Sequence, residues 1–271
     1  MEELWEVTAI KYAERNNRTR NESFIVDDDH ASGHEMDYFL WVLRSDHGTI
    51  VIDTGYDAKE GARRGRPVIR DPDVALRSVG VEPDTIDTVI ITHLHYDHAG
   101  GLDRFPRATF HVQQAEMAYV TGPCMCHPHL RYPFTADHVC QAVRLLYDGR
   151  LRFHDGDAQI APGVTVHRIG GHTKGLQAVR VKTSAGWMCL ASDASHYYEN
   201  FVAAKPFPIV VDLKEMLDGF IRIQELASSP TLVVPGHDPK VFRFFDAMDG
   251  LPEFARRLDL GPNGAIAAEV T

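Results

Sequence analysis

The stretch from Val89 to Gly101 constrains this chain more than any other part of it. Val89-Ile90-Ile91 lies in a strand expected over residues 87–92 and shows no polar alternation, which fits a strand buried on both faces. That strand runs straight into His93-Leu94-His95-Tyr96-Asp97-His98-Ala99-Gly100-Gly101. A strand anchors its own end firmly, so a tight loop there can fold several side chains around one point. His93 and His95 lie two apart and can share a face of an extended turn. Asp97 and His98 follow as the loop bends and can address a second point. The two glycines let the backbone pass closely before the next element.

Four ligands from one loop cannot complete two coordination spheres. Three more candidates occupy the same kind of position, a strand end opening into a turn of small residues. His172 follows a strand expected over 164–169, in Gly170-Gly171-His172-Thr173. Asp193 follows one over 187–190, in Ala191-Ser192-Asp193-Ala194. His237 follows the last apolar strand, 231–234, in Pro235-Gly236-His237-Asp238. Composition agrees: 15 histidines stand against 4 cysteines, and imidazole is the commonest metal ligand.

The remaining composition sets bounds. At 271 residues the chain suits one large α/β domain or two small ones, and it is ample for a sizeable core. The formal charge of −10 argues against a nucleic-acid partner, which requires a basic stripe, and against an anionic membrane surface. No apolar run approaches the ~20 residues of a membrane span, and four cysteines do not make a disulfide framework. The acidic start, Met1-Glu2-Glu3, is unlike a secretory signal, so cytoplasm is the expected location.

Elsewhere a first strand is expected over 4–13 and a long polar loop over 14–35, which includes Asp27 to Asp29. A hairpin follows, with strands over 36–44 and 49–52, and ends in Asp53-Thr54-Gly55. Arg63, Arg64, Arg66 and Arg70 read as a solvated loop rather than an anion site. Helices are expected over 71–79, with Pro72 at its first position, and over 114–120. A strand is expected over 108–113. Residues 121–149 read as irregular, and short strands as filling 151–191. Asp212 starts a clear helix, where Asp212 with Glu215 resembles a capping box. The tail from Gly261, residues 261–271, reads as loosely held.

Taken together, Asp53-Thr54-Gly55, His93-x-His95-x-Asp97-His98, Gly171-His172-Thr173, Asp193 and Gly236-His237 resemble the metallo-β-lactamase superfamily. Within it, the phrase from Thr92 to Gly101 and the Gly-His-Asp near the end are most similar to the N-acyl-homoserine lactonases and related lactone hydrolases. The resemblance implies a single α/β domain over residues 1–271. Its fold would be an αββα sandwich, two mixed sheets flanked by helices, with the metal site at one edge. It implies two Zn2+, iron, cobalt or manganese being alternatives of suitable chemistry. His93, His95 and His172 would hold one ion and Asp97, His98 and His237 the other. Asp193 would bridge both, and Asp53 would orient a ligand by hydrogen bonding.

The activity so implied is hydrolysis of the ester bond of a small lactone by a metal-bound hydroxide, of the quorum-quenching kind. Asp97 would also shuttle the proton to the leaving oxygen. Two departures bear on the substrate. The lactonases commonly carry a tyrosine three residues after the bridging aspartate. Position 196 here is His, followed by Tyr197 and Tyr198, so either His196 or Tyr197 would assist the substrate carbonyl. The second His of the family's Gly-His-Thr-Pro-Gly-His phrase is Leu176 here.

Residues 114–150 are expected to form a lid or pocket wall. They include Cys124-Met125-Cys126-His127-Pro128-His129, with His138 and Cys140 nearby, a set that also has the ligand types for an extra metal. Tyr119, Tyr132 and Phe134 are candidate apolar contacts or core residues. A glyoxalase II-like thioesterase is the alternative activity, and a non-catalytic metal-dependent sensor the alternative of another class. The expected partner is a small molecule. The oligomeric state stays open, a homodimer being the alternative to a monomer.

Overall fold

The computed structural model describes residues 3–26, 29–266 and 270. Its chain begins with β1 (Glu6–Arg15), β2 (Met36–Ser45), β3 (Gly48–Ile52), β4 (Thr88–Ile90), β5 (Thr109–Gln113) and β6 (Leu151–His154). It continues through β7 (Ala158–Ala161), β8 (Val164–Arg168), β9 (Gln177–Thr183), β10 (Gly186–Ser192) and β11 (Val233–Pro235). β12 (Asp246–Ala247) and β13 (Ala255–Arg257) close it. One sheet has the order β12-β13-β1-β2-β3-β4-β5-β6 and the other β11-β10-β9-β8-β7. Both are mixed. β3 to β6 run parallel to one another, as β11 does to β10, and the other neighbours pair antiparallel.

The missing alternation in the central strands has a direct cause. Phe39, Trp41 and Leu43 of β2 point into the core between the sheets, where Val166, Val179, Val181 and Leu190 meet them. Tyr38, Leu40 and Val42, from the other side of the same strand, join a second core. That core includes Ala75 and Leu76 of helix Pro72–Ser78, Met117 and Val120 of helix Gln114–Val120, and Leu145 of helix Ala136–Tyr147. Helix Leu213–Leu226 buries Met216, Phe220, Ile223 and Leu226 in the core of the sandwich. Each such side chain contributes about 1.5–3 kcal/mol of transfer free energy. Helices thus flank two facing sheets, the αββα architecture expected.

Several local expectations are corrected. The polar loop carries a 3-10 turn, Arg20–Glu22, and a bridge pairing Thr19 with Gly33. Asp27 and Asp28 lie outside the described residues. Residues 121–149 contain helix Ala136–Tyr147, one of whose buried positions is the polar His138, which blurs its apolar period. Arg63 and Arg64 end a helix, Ala58–Arg64, and Arg64 is drawn inward by Glu60 at 2.6 Å, its side chain only 5 % exposed. At the next long helix Asp212 accepts from the Glu215 N–H at 2.9 Å, but the Glu215 carboxylate does not return the bond as a capping box requires. It accepts from Gly171 N at 2.9 Å and Arg168 Nη2 at 2.6 Å instead. In the tail, Ile266 and Val270 are buried in the core, and 267–269 and 271 lie outside the described residues.

Candidate metal centre

The centre forms where strands from both sheets end at one edge. β3 and β4 run parallel, so Asp53 and Thr92 emerge side by side. Asp53 has a left-handed backbone, φ 61°, unusual for a residue with a β-carbon and typical of strained functional turns. Its carboxylate accepts from Thr92 N–H at 2.8 Å, from the Thr92 hydroxyl at 2.8 Å and from His98 Nδ1 at 2.7 Å. Thr54 N–H donates to His98 O at 2.7 Å, and the Thr54 hydroxyl accepts from Gly101 N–H at 3.0 Å. The Asp-Thr-Gly turn therefore templates the histidine loop, backbone against backbone. Gly100 is required here, because a β-carbon on it would stand 2.6 Å from Gly55 O. Across the edge, Ser192 ends β10 at φ 48° and its hydroxyl meets that of Thr92 at 2.9 Å.

The side chains expected to gather do gather. His93 Nε2 and His172 Nε2 approach His95 Nδ1 at 3.0 and 2.9 Å. One proton cannot serve both contacts. Three nitrogens around a tetrahedral zinc at 2.0–2.1 Å would stand about 3.3 Å apart, close to what is seen. Asp193 faces both halves: Oδ2 lies 3.2 Å from His172 Nε2, and Oδ1 lies 3.0 Å from His237 Nε2 and 3.2 Å from His98 Nε2. Asp97 Oδ2 lies 3.7 and 3.8 Å from His98 and His237 Nε2. His93, His95, His172 and Asp193 form one potential ligand group, and Asp97, His98 and His237 another.

The residues fit a cation pair. His98 Nε2 and Asp193 Oδ1 are buried without a hydrogen-bond partner, although they are neighbours, because they aim at a common point rather than at each other. The ring orientations are fixed from behind. His172 Nδ1 meets Ile209 O at 2.6 Å and His237 Nδ1 meets Asp37 O at 2.8 Å, which turns each Nε2 inward. Burial holds His93 and His95 far below the ordinary imidazole range, so their nitrogens present lone pairs. Burial opposes charge at His98 too, but the carboxylates of Asp193, Asp53 and Asp97 raise it well above that range. Burial pushes the Asp53 carboxyl up, against the pull of His98 and of the two Thr92 donors. Asp193 stays ionised against its burial because His237, His98 and His196 surround it.

The two residues proposed to assist the carbonyl part company. His196 lines the cavity over the centre, stacks on Phe207 with ring centroids 3.7 Å apart, and places Nε2 2.9 Å from Asp193 Oδ2. Burial lowers its pKa to about 3, so it is neutral. The Tyr197 hydroxyl is turned elsewhere: it receives Arg18 Nη1 at 2.5 Å and donates to Glu35 O at 3.1 Å. Cys124, Cys126, His127 and His129 do not group as a ligand set among the described residues. Tyr119 and Phe134 are buried, and Phe134 packs edge-on against His95 at 4.5 Å. Tyr132 is largely exposed and lines the cavity.

One residue matters that the sequence reading passed over, and a second, Glu215, has another role than the helix cap expected of it. Glu116, fully buried, accepts from Leu94 N–H at 2.9 Å, the Thr173 hydroxyl at 2.7 Å and Gly175 N–H at 3.0 Å. It ties the His93–His98 loop to the His172 loop. Glu215, bonded to Gly171, secures the latter from its other side. The only signal in the sequence was an acid at a helix start, which reads as ordinary.

Comparison with known proteins places these features. An N-acyl homoserine lactonase of Bacillus sp is 29% identical over 226 residues, covering 76% of this chain and 84% of that protein. The N-acyl homoserine lactonase AiiA of Bacillus thuringiensis subsp. kurstaki is 28% identical, covering 74% and 80%. Among solved structures, an N-acyl homoserine lactone hydrolase with the product N-hexanoyl-L-homoserine bound at its catalytic metal center superimposes with a TM-score of 0.75. It is 22% identical and is matched over 94% of this chain and 100% of that one, a likeness of fold. The profile of the Metallo-beta-lactamase superfamily matches residues 38–262. With both sheets, the strand-end histidines and the profile in agreement, this chain belongs to the metallo-beta-lactamase superfamily and is a metal-dependent hydrolase.

Proposed function

We propose that the chain is a dinuclear zinc hydrolase that opens the ring ester of a small lactone, N-acyl-homoserine lactones being the first class to test. The observation that carries this reading is the Asp193 carboxylate, which turns one oxygen to each of two ligand groups. His93, His95 and His172 would hold one ion, Asp97, His98 and His237 the other, and Asp193 both. Bound there, the ions supply Lewis acidity and an activated water. The names of the relatives support the choice of lactones.

The chain's own residues then have definite tasks. Asp97, whose Oδ2 lies beside His98 and His237 in the second group, accepts a proton there and returns it to the leaving alkoxide. His196, neutral and held flat by Phe207, spends its Nε2–H on Asp193 and is placed to contact the substrate carbonyl with its ring rather than to donate to it. Residues 114–150 form one wall of the site. Tyr119, Leu130 and Pro133 from that segment, with Ile209, Val210 and Val211 opposite, line an apolar recess of about 290 Å³ that adjoins His95 and His172 and suits an acyl group.

Two measurements test the reading. Zinc-loaded protein is offered lactones, thioesters and β-lactams while proton release is followed; turnover of lactones is expected, and turnover of thioesters alone would sink the proposal. Asp53→Asn is expected to weaken metal binding about 10- to 100-fold, measured by competition with a chelator, because His98 loses the carboxylate that orients it. Unchanged affinity would remove Asp53 from the site.

A further inference from the structure

The cavity over the centre, about 400 Å³, is lined on one side by polar and charged side chains, unlike the apolar recess beside it. Arg18, Arg66, Tyr38 and Tyr96 line it, beside Asp97 and His237. Resting on the hydrolase reading above, we infer that the substrate is an ester or lactone carrying a separate carboxylate, which seats against Arg66 while the ring carbonyl lies at the metal centre.

The argument begins with charge. This is an acidic chain, with 38 Asp and Glu against 28 Lys and Arg; several of its partly buried arginines have found a carboxylate, and others, such as Arg44, Arg150, Arg180 and Arg256, bond backbone carbonyls. Arg64 pairs with Glu60, Arg104 with Asp71 and Asp73, Arg20 with Glu199 and Arg257 with Asp259. Arg15, also at the cavity, is neutralised by Glu22 at 2.8 Å. Arg18 and Arg66 have no carboxylate within 4.0 Å among the described residues. A guanidinium that lines a cavity without a carboxylate keeps donors available to a ligand there.

Geometry sharpens this. The Arg66 guanidinium makes one hydrogen bond, from Nη1 to the Tyr96 hydroxyl, which leaves Nε and Nη2 without a partner among the described residues. Its position is fixed by the backbone: Arg66 N–H donates to Gly61 O at 2.8 Å, and Val68, two residues on, bridges to Ala13. Arg18 is 5 % exposed and holds Tyr197 and Glu22 O, yet its Nε is buried with no partner. The Tyr38 hydroxyl lies within electrostatic reach of both guanidiniums. A planar guanidinium with two free donors matches the two oxygens of a carboxylate. The recess and the cavity share His95, Tyr132, Pro133, His172 and Ile209, so a ligand can place an apolar group in one and an anion in the other with its carbonyl between.

The test compares γ-butyrolactone with its γ-carboxylate using zinc-loaded enzyme. Wild type is expected to favour the carboxylated lactone. Arg66→Gln is expected to lose about 10- to 100-fold in kcat/KM on it and to change little on the neutral one. Raising salt from about 0.05 to about 0.5 M should shrink the wild-type preference, a check that needs no variant. Equal treatment of both lactones, in wild type and in Arg66→Gln, overturns the inference. Calorimetric binding of pyroglutamate and 2-pyrrolidinone, the corresponding lactams, separates the two proposals. If neither lactone is opened yet pyroglutamate binds and Arg66→Gln releases it, the lactonase reading fails and the anion site stands. If pyroglutamate binds equally to both proteins, its carboxylate is held elsewhere and the anion site fails.

Discussion

Asp193→Ala is expected to leave no more than one tightly held metal ion per chain and to lower kcat on the order of 10³-fold or more. The carboxylate is shared: Oδ2 faces His172 at 3.2 Å while Oδ1 faces His237 at 3.0 Å and His98 at 3.2 Å. Five of the seven proposed ligands are histidines, so two divalent ions would face each other with only Asp97 to offset them once Asp193 is gone. The repulsion falls on the pair rather than on either ion alone. Neighbouring imidazoles cannot replace the bridge, because a neutral ring brings no negative charge, and His172 and His237 are pinned from behind by Ile209 O and Asp37 O. Metal content by mass spectrometry, read beside turnover, checks this. Two ions retained with undiminished kcat would show that the bridge is not what joins the halves.

Glu116→Ala is expected to lower stability by about 3–5 kcal/mol in chemical denaturation, and Glu116→Gln by less. Glu116 is wholly buried and satisfies three donors from two loops. Alanine strips all three of their acceptor and leaves a void that water fills poorly. Glutamine keeps one carbonyl oxygen but turns an NH2 toward a donor. No other group can step in, because Gly175 presses so close that a β-carbon on it would stand 2.1 Å from Glu116 N. The same change is expected to loosen the grip on metal, since Leu94 lies between His93 and His95, and Thr173 follows His172. An unaltered denaturation midpoint would mean that Glu116 merely fills space.

The contrast between these two residues shows what the sequence made legible. Asp193 could be read because strand-end residues announce themselves: a buried apolar run, then a ligand, then small residues. His93, His95, Asp97, His98, His172 and His237 share that signature, and the fold brings all of them together. The two mixed sheets were legible through β2 and β4, whose unbroken apolar runs require cover on both sides. Glu116 was not legible because its meaning lies in donors at 94, 173 and 175, which are distant along the chain. The place of Arg66 at the cavity was not legible for a related reason. Glycine and proline around a run of arginines look like solvent-exposed loop, and only the bridge from Val68 to Ala13 turns it toward a cavity. Helix Ala136–Tyr147 was hidden by the buried His138, which interrupts the period a helix normally shows. At position 212 the right acid at the right spacing misled, because Glu215 found a stronger partner in Gly171 N than in its own helix start.

β13 pairs with β1, so a strand drawn from residues 255–257 closes the outer edge of the first strand of the sheet. His237, which completes the second ligand group, follows β11 shortly before it. One late stretch of sequence, 233–257, thus serves both the frame and the centre. A chain cut before Val233 would lose the outer neighbour of β1 and one side chain of the second group together, so damage there would strike stability and chemistry at once.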